Sequence, residues 1–243
     1  MFRLPTALSA LTLSLALAGC SASPGPAPET RAEPAPSSTT TEPASQPRER
    51  PGPDQPEDSG TVSRQETLSS DGRPRRSSLT VPAIGVRALT VVPYRGSPDD
   101  APGTRIQDGG VAASPHGPRG GVGPGGIGNH IVTAHRTSST RAFADLPRLR
   151  VGDRVHVVAG GTRYVYRVVG TRTTSFRSPR SLARQSAAVP GHPGRRPTRA
   201  MITLSTCATP EDHARGNYWS DRFGNPEHRI DKIGVLTDVR PAG

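Results

Sequence analysis

The sequence predicts a mostly β domain, a barrel or a sandwich, carried behind a long stretch that cannot form a core. Three observations point there. Short runs of β-branched and aromatic residues recur between Pro/Gly turns from residue 79 onward. The longest, Arg163-Tyr164-Val165-Tyr166-Arg167-Val168-Val169, alternates as a half-buried strand does. The only helical candidates, near Ser139–Leu146 and Ser178–Ala188, are too short to dominate.

In chain order, Leu79-Thr80-Val81 and Val86 to Val92 are two strands divided by a Pro/Gly turn. His130-Ile131-Val132-Thr133-Ala134 is a third and Arg154 to Ala159 a fourth. Ala159-Gly160-Gly161 then gives a hairpin signal leading into the alternating run from Arg163. Met201 to Ser205 and Ile230 to Val239 complete the set.

Upstream, Met1 to Cys20 carries one charge, Arg3, and an apolar run from Leu8 to Ala18, the pattern of an export signal. It ends Leu17-Ala18-Gly19-Cys20, which resembles a bacterial lipobox; Cys20 would then be a lipid anchor on the mature chain. Residues 21–78 contain eleven prolines, no aromatic residue, and only Val62 and Leu68 among the large aliphatics. Such a stretch cannot bury enough apolar surface to offset its ordering entropy and reads as a disordered linker. Residues 79–243 form the domain.

Charge follows the same division. The 243 residues carry a net charge of +11, and Lys232 is the only lysine. Residues 21–78 hold seven arginines against nine acidic residues, whereas residues 79–243 hold 23 basic against 11 acidic, or +12. Two cysteines exclude a disulfide scaffold and a four-thiolate zinc site, and no His/Asp/Cys pair has metal-ligand spacing. Aromatics at 4% are too few for a base-stacking surface, and an exported chain is a poor nucleic-acid partner.

The remaining cysteine, Cys207, ends the strand-like run from Met201, and Pro210 breaks the chain just after it. A thiol at a strand end can be exposed while its neighbours fix it; alone, it would read equally as a structural cysteine. His135 closes the strand Ile131-Val132-Thr133-Ala134, after a Gly-rich approach from Gly120 to Gly128. An imidazole near a thiol can take its proton and later protonate a leaving amine. His116, His192, His213 and His228 sit in turn-rich segments, while His130 and His156 are read as surface residues on strands. Arg229 stands just before the last strand, so antiparallel pairing would bring it to Cys207, where a guanidinium can hold an oxyanion. Arg215 and Arg222 also follow Cys207 but lie in the intervening loop.

These segments resemble those of the sortases. Thr203-Leu204-Ser205-Thr206-Cys207 resembles the family's TLxTC signature, Val132-Thr133-Ala134-His135-Arg136 its histidine segment, and His228-Arg229 its arginine segment, in the same order. The likeness covers roughly Leu79–Val239 and looks closest to the class E and F types of actinobacteria. It implies a closed eight-stranded β-barrel with short helices and long loops. It also implies a transpeptidase that cleaves an LPxTG- or LAxTG-like motif near the C-terminus of secreted proteins. Cys207 would form the thioacyl enzyme, His135 act as general acid and base, and Arg229 steady the substrate carbonyl. Thr206, beside the nucleophile, and Arg222 are secondary candidates for substrate contact. The loop Thr171–Arg199 matches the region that cradles the sorting motif. Partners implied are sorting-motif proteins, an amine on a peptidoglycan precursor, and the membrane through the lipid anchor, on its extracytoplasmic face. No cofactor is implied. The long segment Ala208–Glu227 is expected to be a packed loop anchored by Trp219.

Rival readings differ in order and motif. In a cysteine peptidase of the NlpC/P60 kind the cysteine precedes the histidine, whereas here His135 comes 72 residues before Cys207. An L,D-transpeptidase needs His-Gly-Cys, which Ser205-Thr206-Cys207 does not supply. A peptidase acting only as a hydrolase, and a non-catalytic lipoprotein whose +12 domain binds anionic wall polymer, remain the alternatives.

Overall fold

The computed structural model describes residues 70–243; the signal segment, Cys20 and the proline-rich stretch as far as residue 69 lie outside the described residues. Eight strands follow in chain order: β1 (Ser77–Val81), β2 (Val86–Arg95), β3 (Ala112–His116), β4 (Gly128–Thr133), β5 (Arg154–Ala159), β6 (Thr162–Ser175), β7 (Ala200–Cys207) and β8 (His228–Pro241). They close into a barrel in the order β1-β2-β3-β4-β7-β8-β6-β5, with β1 completing the ring against β5. The expected mostly β, eight-stranded barrel is the fold found.

Local sequence explains most of the strands. β1 and β5 bury alternate residues, which puts Leu79, Val81, Val155 and Val157 inside. Gly160 and Gly161 both take positive φ, 55° and 75°, the primed turn that a two-residue hairpin between β5 and β6 requires. β4 is buried at every position, as befits a strand held between neighbours and covered on both faces. The core gathers these residues with Phe143, Leu146, Leu149, Tyr166, Ile202 and Leu204. β6 and β8 run beyond their sequence limits because they pair along their whole length, from Thr162↔Pro241 to Ser175↔His228.

Two pairs are parallel, β2 with β3 and β4 with β7. The second matters most, because it sets two strand exits side by side. Between β3 and β4 the Gly-rich connection lies under the segment that precedes β1. Gly123 donates to the Gly72 carbonyl at 2.8 Å, and a Cβ at Gly123 would sit 1.9 Å from the Arg73 carbonyl oxygen.

Some elements differ from expectation. Ala112–His116 pairs as β3, although Ala-Ala-Ser-Pro-His carries no strand signal of its own. The helix near Ser178 exists as α2 (Pro179–Gln185, the second helix in chain order), capped by the Ser178 hydroxyl. The one expected near Ser139–Leu146 does not form. Ser139 and Arg141 sit at φ 53° and 54°, the chain continues in turns, and only Leu146–Arg148 makes a 3-10 turn. In its place α1 (Ala101–Asp108) and α3 (Thr209–Ala214) appear. α1 begins on an Asp100 side chain that accepts from Gly103 N, with Pro102 in the first turn.

His130 is a correction as well. It is not a surface residue but 1% exposed, its Nδ1 2.9 Å from the Val122 carbonyl oxygen and its Nε2 buried without a partner. Burial pushes its pKa from 6.5 down to about 4. Between those pH values the unfolded chain binds a proton that the folded protein refuses, so stability falls on acidification. The loss attributable to His130 is up to about 3 kcal/mol. Urea midpoints at pH 7.5 and 4.5 check this: His130→Gln flattens the dependence, and an unchanged slope refutes it.

Candidate active site

β7 and β8 are antiparallel neighbours, and their register pairs Cys207 with Arg229. On its other side Arg229 pairs with Thr174 of β6, so its position is fixed from both flanks. β4 runs parallel to β7 with Thr133 opposite Ser205; Ala134 N donates to the Ser205 carbonyl and the Thr206 hydroxyl to the Ala134 carbonyl. His135 follows Ala134 at this exit of β4, and the next residue, Arg136, reaches the Cys207 carbonyl. The structure thus brings the three principal sequence candidates to one end of the barrel.

Arg229 is wholly buried. Its Nε donates to Asp99 Oδ2 at 2.8 Å, its Nη1 to the Pro226 carbonyl at 3.4 Å, and its Cζ lies 4.1 Å from the centre of the Phe176 ring. Nη2 is buried with no partner. Burial opposes the guanidinium's charge, but Asp99, helped by Cys207 and Asp231, outweighs it and holds the pKa above the usual arginine value. Asp99 is itself held by Gln107 of α1, whose Nε2 donates to Oδ1 at 2.8 Å and also to the Thr133 hydroxyl at 3.1 Å.

Burial pushes the Cys207 thiol up. Arg229 and Arg136 pull it back, while Asp99 and Asp221 add to the rise. This balance resists a resting thiolate and makes a neighbouring base useful. His135 is mostly buried, and its Nε2 lies 2.9 Å from Asp108 Oδ1 at the end of α1. A proton on Nε2 is then directed at Asp108, leaving Nδ1 as the nitrogen free to exchange one. Asp108→Asn should lower kcat roughly three- to tenfold with little change in melting temperature; an unaltered kcat removes Asp108 from the site.

Beside Arg229 opens a cavity of about 670 Å³, lined among others by Asp99, Phe176, Leu182, Ala187, Asp221 and Phe223. Asp99 and Phe176 belong both to this wall and to the guanidinium's surroundings. The wall formed by α2 is tied to the barrel through Gln185. Its Nε2 donates to Ser205 Oγ at 3.1 Å and to Asp231 Oδ1 at 2.9 Å, and its carbonyl accepts from Asn129.

The secondary candidates fare differently. Thr206 is 2% exposed and spends its hydroxyl on the Ala134 carbonyl, which ties β7 to β4. Arg222 is exposed, with its guanidinium 4.7 Å over the Phe223 ring, and is not among the charges acting on Cys207. Trp219 is no anchor: it is 36% exposed with Arg177 5.9 Å above its ring, and Asp221 and Asn225 knit that loop instead. Asp99, Asp108, Phe176 and Asp221 are not marked by any sequence pattern. Arg136 stands in the histidine segment, but nothing in the sequence says what it touches.

A family model described as the sortase domain matches residues 79–222. No curated protein sequence matches the chain. Among solved structures, the SrtA sortase from Actinomyces oris is similar with 19% identity and a TM-score of 0.52, over 71% of this chain and 90% of that one. Sortase E1 from Streptomyces coelicolor, determined with a tripeptide in its active site, gives 20% identity and a TM-score of 0.49, over 72% and 94%. Sortase E from Streptomyces avermitilis gives 22% and 0.48, over 70% and 91%. At 19% identity the likeness to the Actinomyces oris structure speaks to the fold alone. The family match covers more than half of the sequence, and the chain belongs to the sortases, a family of cysteine transpeptidases.

Proposed function

We propose that this protein is an extracytoplasmic sortase of the class E/F type. It cleaves an LPxTG- or LAxTG-like sorting motif of secreted proteins at threonine and passes the acyl group to an amine on a peptidoglycan precursor. In this reading residues 1–20 are a lipoprotein signal, Cys20 carries the lipid, residues 21–78 are a linker and residues 79–243 the catalytic domain. The observation that carries it is the pairing of Cys207 with a buried Arg229 whose Nη2 has no partner.

The chemistry runs in two halves. The Cys207 thiol gives its proton to His135, and the sulfur attacks the threonine carbonyl carbon. As that oxygen becomes negative, Nη2 of Arg229 is the donor available to it. The carbon–nitrogen bond breaks, and the leaving amine takes its proton from His135. The incoming amine then attacks the thioester, His135 accepts its proton, and sulfur leaves as a new amide forms. Because Arg229 is wholly buried, substrate reaches it only when Phe176 or the Asp99 segment yields; both border the cavity beside it.

The test is to incubate the full chain with a panel of LPxTG- and LAxTG-like peptides and an amine acceptor, reading products by mass. A joined product supports the reading. Cleavage without joining in the presence of acceptor favours a hydrolase. No turnover across the panel, together with salt-sensitive wall-polymer binding that survives Cys207→Ala, favours the non-catalytic alternative.

A further inference from the structure

Arg136 has no part in the proton transfers above, yet its side chain joins the two strand exits. It follows His135 at the end of β4, and Nη1 donates to the Cys207 carbonyl at 3.3 Å. The same guanidinium grips Glu211 with both ends, Nη1 to Oε2 and Nη2 to Oε1, the latter at 2.9 Å. Glu211 stands in the first turn of α3, which starts two residues after Cys207. The Arg136 side chain is only 13% exposed and that of Glu211 35%, so the contact is sheltered from solvent.

We propose that Arg136 is a positioning residue for the transacylation, a clamp that fixes the Cys207–Ala208 corner so that the thiol faces His135 and Arg229. The proposal rests on Cys207 being the nucleophile. Cys207 is the last residue of β7, so beyond it the ladder no longer sets the peptide plane. Holding its carbonyl and the start of α3 from one rigid fork removes that freedom. A planar bidentate guanidinium can make both contacts together, whereas a lysine ammonium offers a single point of charge. The charges that face the thiol come from Arg229 on β8, Arg136 after β4, Asp99 before α1 and Asp221 in the loop before β8. Glu211 cancels much of the charge of Arg136, which makes holding rather than attraction its main service.

Arg136→Lys, Arg136→Gln and Glu211→Gln in the full chain separate these effects. For each, kcat and KM are measured with a sorting-motif peptide. Iodoacetamide alkylation of Cys207 is followed against pH on the Cys207 peptide by mass. Arg136→Gln should lower kcat roughly ten- to hundredfold with KM within about twofold, and move the alkylation midpoint up by about one pH unit. Arg136→Lys should lose most of the same kcat while keeping the wild-type midpoint. Glu211→Gln should lower kcat severalfold yet move the midpoint down, because Arg136 then keeps its charge uncancelled. Wild-type kcat in both arginine variants overturns the clamp, as does a loss that merely tracks the folded fraction. If Arg136→Gln fails to fold, the other two variants decide. If the wild-type chain joins no peptide and forms no acyl adduct on Cys207, the nucleophile reading has failed and the clamp falls with it; a wild-type chain that turns over beside arginine variants of undiminished kcat overturns the clamp alone.

Discussion

Arg229→Ala is expected to lose both stability and activity, and the two losses can be separated. Removing the guanidinium leaves the Asp99 carboxylate buried beside Gln107 with no counter-charge. Breaking a buried pair in this way costs about 3–5 kcal/mol. Turnover should fall roughly a hundred- to a thousandfold, the effect of deleting one oxyanion donor. Adding Asp99→Asn removes the stranded charge and should return much of the stability without returning activity. Arg229→Lys keeps the charge, but one ammonium cannot meet Asp99, reach the Pro226 carbonyl and still offer a third donor to substrate. It should therefore fold and remain impaired by a similar factor. Denaturant midpoints and kcat/KM on the four proteins are the measurement; undiminished kcat/KM in the lysine variant would falsify the role.

The second large effect concerns the acyl intermediate. With sorting-motif peptide and no amine, the wild-type chain should gain the mass of the peptide's N-terminal fragment on Cys207. Cys207→Ala should abolish both adduct and product. His135→Ala should slow turnover by roughly 10²–10⁴, because thiol deprotonation and protonation of the leaving amine both lose their partner. Its fold should survive, since among the described residues the imidazole's one polar partner is the exposed Asp108. An adduct on another residue, or a His135 variant with full kcat, would sink these roles.

Part of this site is legible in the amino-acid sequence itself, and the reason is geometric. Cys207 and Arg229 lie on strands adjacent both in sequence and in the barrel, so strand order alone juxtaposes them. β5, β6 and β8 are readable because their alternation and β-branched residues speak locally. β3 is not: its pairing comes from β2, a parallel neighbour, and no local propensity announces it. Ser97-Pro98-Asp99-Asp100-Ala101-Pro102-Gly103 has the composition of a turn, which hides both α1 and the carboxylate that closes on Arg229, 130 residues away. Ser139–Leu146 has helical spacing, yet left-handed residues at both Ser139 and Arg141 exclude a helix there. Trp219 resembles an anchor by residue type alone, whereas burial is decided by what the barrel can cover.

The two-sided lock on β8 has a consequence for how such a protein can diverge. Arg229 takes its place from the β6 and β7 ladders, not from the distance spanned by residues 208–227. That connection can lengthen, shorten or be exchanged while the guanidinium stays opposite the thiol. A one-residue slip within β8 itself would turn Arg229 to the opposite face of the sheet. The connection is therefore free to vary, under a constraint that falls almost entirely on the strand.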